Sequence, residues 1–120
     1  MWKRRTGGVT LYRVEPATLA DLGQGDVFVL QRQLNEVGYS LCRAPSGALV
    51  RGPMAEGTPT RVQIPIACPP GTTFEGLNHT HPGGVAFPSS MDIKSGIRVG
   101  AKVLCIDADG DRKCFRLKRR

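Results

Sequence analysis

Seventeen Lys and Arg face ten Asp and Glu in a chain of 120 residues, a formal net charge of +7, and this length fits one domain over residues 1–120 with a single core and no second module. Much of the excess charge sits at the ends, in Lys3-Arg4-Arg5 and Lys118-Arg119-Arg120. No aromatic residues are interleaved there to stack bases, so solvated termini are favoured over contacts with nucleic acid, membrane headgroups or an acidic protein. No apolar run of signal-peptide length follows the first eight residues and none later could span a bilayer, so a cytosolic protein is expected.

Gly8 to Val14 reads as a first strand, followed by a turn or short helical piece around Thr18 to Leu22 and a Gly23-Gln24-Gly25 break. Asp26 can cap a helix in which Val27, Leu30, Leu34 and Val37 recur at helical spacing, while the run Val27-Phe28-Val29-Leu30 suits a buried strand equally well. Val37 to Cys42 is strand-like, Pro45-Ser46-Gly47 turns it into Ala48 to Arg51, and Met54 to Pro59 reads as a loop. Val62, Ile64 and Ile66 alternate along Arg61 to Ala67, which predicts a half-buried strand near a sheet edge, where Pro65 is tolerated. Cys68-Pro69-Pro70-Gly71 then turns the chain into a strand over Phe74 to His81. A helix is predicted from Pro88 or Ser89 towards Val99, weakened by Gly96. Ala101 to Asp107 and Arg112 to Leu117 close the chain as a hairpin about Asp109-Gly110. Strands before and after a central helix, with a second helix upstream, make an α/β fold with a mixed β-sheet packed by helices.

The four cysteines, Cys42, Cys68, Cys105 and Cys114, show no Cys-x-x-Cys spacing and announce no second metal site, so buried thiols are the default. Cys105 and Cys114 face each other across the hairpin. A disulfide is geometrically open to them in an oxidising or hyperthermophilic setting, provided the pair is non-hydrogen-bonded.

The chemistry concentrates in His79-Thr80-His81-Pro82, followed after a six-residue spacer by Ser89-Ser90-Met91-Asp92. Two histidines two apart on a strand project to one face and can grip one ion. Pro82 ends the strand and Gly83-Gly84 lets the loop fold back, so that Asp92, one turn into the next helix, can supply a third ligand. Three protein ligands leave a tetrahedral position open, as a catalytic zinc site requires.

This spacing, His-x-His-Pro followed by Ser-x-x-Asp, resembles the JAMM motif of the MPN+ (JAB domain) metalloproteases, zinc isopeptidases that remove ubiquitin and ubiquitin-like modifiers. The resemblance is closest from Glu36 to Asp92. It implies a cytidine-deaminase-like three-layer α/β architecture, Zn2+ held by His79, His81 and Asp92, Ser89 stabilising the oxyanion, and Glu36 as general base. Elimination agrees on Glu36: Glu75 lies about 13 Å along the strand from His79 at ~3.3 Å per residue, Glu15 belongs to the poorly matched N-terminal part, and Glu56 to a Gly/Pro-rich loop. The competing reading of Glu36 is an exposed helix-end carboxylate. Ser89 and Asp92 also fit a capping box, and a full capping bond at Ser89 would compete with holding an oxyanion.

The implied activity is hydrolysis after the C-terminal glycines of a ubiquitin-like modifier, with a ubiquitin-like conjugate or a peptide as substrate. The chain is too short for both of the family's modifier-clamping insertions at full size. The rivals are a peptidase acting on phage, cell-wall or sulfur-carrier peptides, and a non-catalytic scaffold or nucleic-acid-associated module.

Overall fold

A computed structural model gives the fold over residues 12–17, 35–108 and 110–119. These residues form one seven-stranded sheet and one helix. The strands are β1 (Tyr12–Ala17), β2 (Val37–Arg43), β3 (Leu49–Arg51), β4 (Ala55–Glu56), β5 (Thr73–Thr80), β6 (Val103–Ala108) and β7 (Asp111–Arg119), and α1 (Ser90–Val99) lies between β5 and β6. The order across the sheet is β1-β7-β6-β5-β2-β3, with β4 also on the outer edge of β2. β5 and β6 run parallel and all other pairs antiparallel. A parallel pair needs a crossover, which α1 supplies.

The mixed α/β sheet agrees with the sequence reading, and so do β2, β3, β5, α1 and the final hairpin. The predicted turn at Thr18 to Leu22, the Asp26 helix before Val37, and Asp109 lie outside the described residues. Two predicted elements change. Met54 to Pro59 is not wholly loop, because Ala55 and Glu56 pair with Gly38 and Val37. Arg61 to Ala67 is no strand. Its alternation tracks burial only in part, with Val62 and Ile64 half-buried and Gln63 and Pro65 exposed but Ile66 exposed as well, and no ladder forms. The segment instead crosses one face of β2, where Ser40 Oγ donates to the Pro65 carbonyl at 2.6 Å and Cys42 is bonded to Cys68. Alternation reports a half-covered extended chain, whether or not a neighbouring backbone pairs with it.

Each face of the sheet carries its own core. One holds Val37, Tyr39, Leu41, Leu49, Val103, Cys105 and Cys114. The other holds Leu77, Leu104 and Leu117 with Ile93 of α1, joined by half-buried Ile64 and Ile97. Gly96 is where the helix comes closest: a Cβ there would lie 3.0 Å from Leu104 Cδ2 and 3.1 Å from Leu117 Cδ1. The helix-weakening glycine therefore lets α1 settle on β6 and β7.

All four cysteines are paired, Cys42 with Cys68 and Cys105 with Cys114. This overturns the default of buried thiols. Cys105 and Cys114 are direct partners across β6 and β7, with Cα atoms 4.1 Å apart, the close approach of a non-hydrogen-bonded pair.

Candidate metal centre

The site stands at the C-terminal end of β5 and the N-terminus of α1. β5 ends at Thr80, and the His81 N–H still donates to the Asp107 carbonyl at 2.9 Å, so both histidines are fixed by extended backbone and face the α1 side. Pro82 and Gly83 turn the chain, with Gly83 at φ 68°, a left-handed conformation that glycine adopts without steric cost. The Gly84 N–H closes this turn on the His81 carbonyl at 2.9 Å. Ser89 caps α1, and both bonds of a capping box are made: Asp92 N–H donates to Ser89 Oγ at 3.1 Å and Ser89 N–H donates to Asp92 Oδ2 at 2.8 Å. The cap locks the carboxylate orientation and leaves Oδ1 clear of backbone donors.

Three side chains converge. His79 Nε2 and His81 Nε2 are 3.1 Å apart, His79 Nε2 lies 3.2 Å from Asp92 Oδ1, and His81 Nε2 lies 3.1 Å from Asp92 Oδ2. Tetrahedral ligands about 2.0–2.1 Å from a zinc ion stand roughly 3.3 Å from one another; the two ring nitrogens are near that separation, each faces a different oxygen of Asp92, and one ligand atom from each residue lies within 4.8 Å of the others. His81 Nδ1 is 2.9 Å from the Val85 carbonyl, which can only accept; Nδ1 therefore carries a proton and Nε2 presents the ligand nitrogen. That carbonyl is the orienting partner the sequence did not reveal. If His79 also carries its proton on Nδ1, lone pairs meet at the centre of the triad, where a proton or a cation would bridge them.

The electrostatics follow from this crowding. Burial pushes the Asp92 carboxyl up, but hydrogen bonds from His79 and His81 outweigh it and hold it far below the ordinary carboxylate range. The hydrogen bond to Asp92 raises His81, against burial and with help from Val85. His79, His81 and Asp92 are the group of His, Cys, Asp and Glu among the described residues placed to hold a metal ion, with ligand atoms all within 4.8 Å.

Glu36 directly precedes β2. Gly38 pairs with His79, so continuing the antiparallel register sets Glu36 across from His81, on the same face. Its backbone is held from the outer side, the N–H donating to the Thr58 carbonyl at 2.7 Å and the carbonyl accepting from Gly57 at 2.8 Å. It is buried, not the exposed carboxylate of the competing reading. Burial raises its carboxyl above the ordinary range, against the opposing pull of His79 and His81.

Glu36, His79, His81, Ser89 and Asp92 line one cleft of about 1020 Å³ between α1 and residues 56–64. The other glutamates do other things. Glu75 pairs with Arg43 at 3.2 Å, Glu15 lies on β1 with Lys118 3.8 Å away, and exposed Glu56 at the cleft rim accepts from Asn35 at 2.9 Å. The feared competition at Ser89 also dissolves: the cap uses an acceptor lone pair, whereas an oxyanion needs the O–H donor, and a hydroxyl offers both. Among the described residues no helix is long and apolar enough to cross a membrane. A scan against protein-family models, a search of curated proteins and a search of solved structures each returned no significant match.

Proposed function

We propose that the chain is a compact zinc-dependent isopeptidase or peptidase of the JAMM type, with the cytidine-deaminase-like architecture of that family, acting after the C-terminal glycines of a ubiquitin-like modifier. One observation carries the reading: two Nε2 atoms and a carboxylate converge at 3.1–3.2 Å in a cleft that also holds a buried glutamate.

His79, His81 and Asp92 would hold the ion, which when bound would supply Lewis acidity toward a carbonyl oxygen and a more acidic water. Glu36 is placed to take a proton from the attacking water and return it to the leaving amine, a shuttle suited to a carboxyl raised by burial. Ser89 donates its O–H to the developing oxyanion while its lone pair keeps the helix capped. The loop at Gly83 and Gly84, both exposed, leaves room for an extended substrate backbone beside the ion, which favours a di-glycine tail over bulky residues. Two disulfides suit an oxidising compartment or the cytosol of a hyperthermophile, and the cytosolic assignment belongs with the second.

The test is a panel of lysine-linked ubiquitin-like conjugates and matched peptides whose terminal glycines are kept or replaced by alanine or leucine. Strong preference for the intact di-glycine tail supports the proposal. Equal cleavage of all tails, or cleavage only of cell-wall peptides, refutes the isopeptidase reading.

A further inference from the structure

Thr80 stands between the two histidines in sequence, buried at 4 % exposure, and its hydroxyl accepts the backbone N–H of Val37 at 3.0 Å. The bond is unusual in its place. The pairing of β2 with β5 stops at Gly38 and His79, and one residue further a side chain takes over the acceptor role that a carbonyl plays within a ladder. It stands at the end of the two strands where continuing the register sets Glu36 and His81 opposite each other. On its other edge Thr80 pairs with Asp107 of β6, and the Asp107 carbonyl accepts the His81 N–H. The element bearing both histidines is thus anchored to β6, and beyond the last ladder pair with β2 the Thr80 hydroxyl adds a bond to Val37, the residue next to Glu36.

We propose that Thr80 is a positioning residue: its hydroxyl holds Val37, and through it Glu36, at the separation from the metal ligands at which the carboxylate serves as base. This rests on the hydrolase reading for its consequence, but not for its geometry. Among the described residues the Glu36 backbone is otherwise held from the β4 side, by Gly57 and Thr58, so loss of the Thr80 bond should let it shift away from the cleft. The threonine methyl and the backbone register remain in Thr80→Val, which deletes the acceptor with little change of shape. Thr80→Ser keeps the acceptor.

The experiment loads cobalt(II) into the wild-type protein, Thr80→Val and Thr80→Ser, each carrying 13C-labelled glutamate, and reads the pseudocontact shift of the Glu36 carboxyl carbon, which depends on its position relative to the ion. The cobalt(II) visible spectrum should be the same in all three, because the ligands are untouched. In Thr80→Val the Glu36 shift should fall and the Val37 amide should exchange faster. With zinc instead, kcat should drop about 10–100-fold, the scale of an ångström-sized misplacement, with KM within about twofold. Thr80→Ser should restore every signal. Should Thr80→Val not fold, Thr80→Ala makes the same deletion without setting a methyl against the amide. An unchanged Glu36 shift in the acceptor-less variants overturns the inference, whatever the activity. A Glu36 shift that moves as described, in a protein that cleaves nothing, upholds the positioning and refutes the hydrolase reading.

Discussion

At the level of single residues the cleft separates holding from reacting. His79 and Asp92 are placed to contribute ligand atoms, so on the proposed reading His79→Ala and Asp92→Ala should each abolish stoichiometric zinc, measured by elemental analysis of protein freed of loose metal. Ser89 caps α1 and on the proposed reading also serves the oxyanion, and Ser89→Ala reads both. Loss of the cap should cost about 0.5–2 kcal/mol of stability, measured by denaturant unfolding. Loss of the oxyanion donor should lower kcat about 100-fold or more with zinc retained. Early unfolding with unchanged specific activity would confine Ser89 to the cap. The pH dependence of metal binding follows from His81. Its raised affinity for a proton in the metal-free protein means that a proton competes with the ion from above the ordinary histidine range downward. Zinc affinity should therefore rise with pH through that range and level off above it, which calorimetric titration in the presence of a competing chelator would measure.

Secondary-structure elements show what the residue order disclosed and what it concealed. β5, its proline stop and the capped start of α1 were legible because the two histidines, the turn and the Ser-x-x-Asp cap depend on neighbours close in sequence. Arg61 to Ala67 was misread because only long-range partners, Ser40 and Cys42 on β2, distinguish a covering segment from a strand. The polar cluster behind the site was legible only in part. Arg112 donates to Asp107 through Nε at 2.7 Å and Nη2 at 2.9 Å, and also to Tyr39 Oη at 3.0 Å, while Asn78 Nδ2 reaches Asp107 at 3.2 Å; the hairpin register that opposes Cys105 and Cys114 also opposes Asp107 and Arg112, but only the wider sheet brings Tyr39 and Asn78 to them. Both charges are almost wholly buried, so Arg112→Met, which strands the Asp107 carboxylate, should lose about 3–5 kcal/mol of unfolding free energy. A loss below about 1 kcal/mol would show that the pair is solvated. The Cys42–Cys68 bond fixes the far end of the cleft wall across a sequence separation of 26. Replacing both cysteines by serine should cost about 2–4 kcal/mol and raise KM more than it lowers kcat, because residues 58–64 line the cleft without supplying the ligands.

Across the whole molecule, a sheet with a core on each face presents its reactive groups where β5 hands the chain to α1. That placement is general in crossover units, whose strand ends and helix starts meet at one edge of the sheet. Zinc should therefore stabilise the fold as well as serve the chemistry, by about 2.7 kcal/mol at free metal 100-fold above Kd, and this increment should vanish in Asp92→Ala. The most direct test compares hydrolysis of a lysine-linked conjugate with a di-glycine tail by the zinc-loaded protein and by zinc-loaded Glu36→Gln. The nearly isosteric amide keeps the site's shape but cannot take a proton. The account predicts cleavage at the isopeptide bond by the first, and by the second an equal zinc content with activity at background. Equal cleavage by both proteins, or none by the fully loaded wild type, would contradict it.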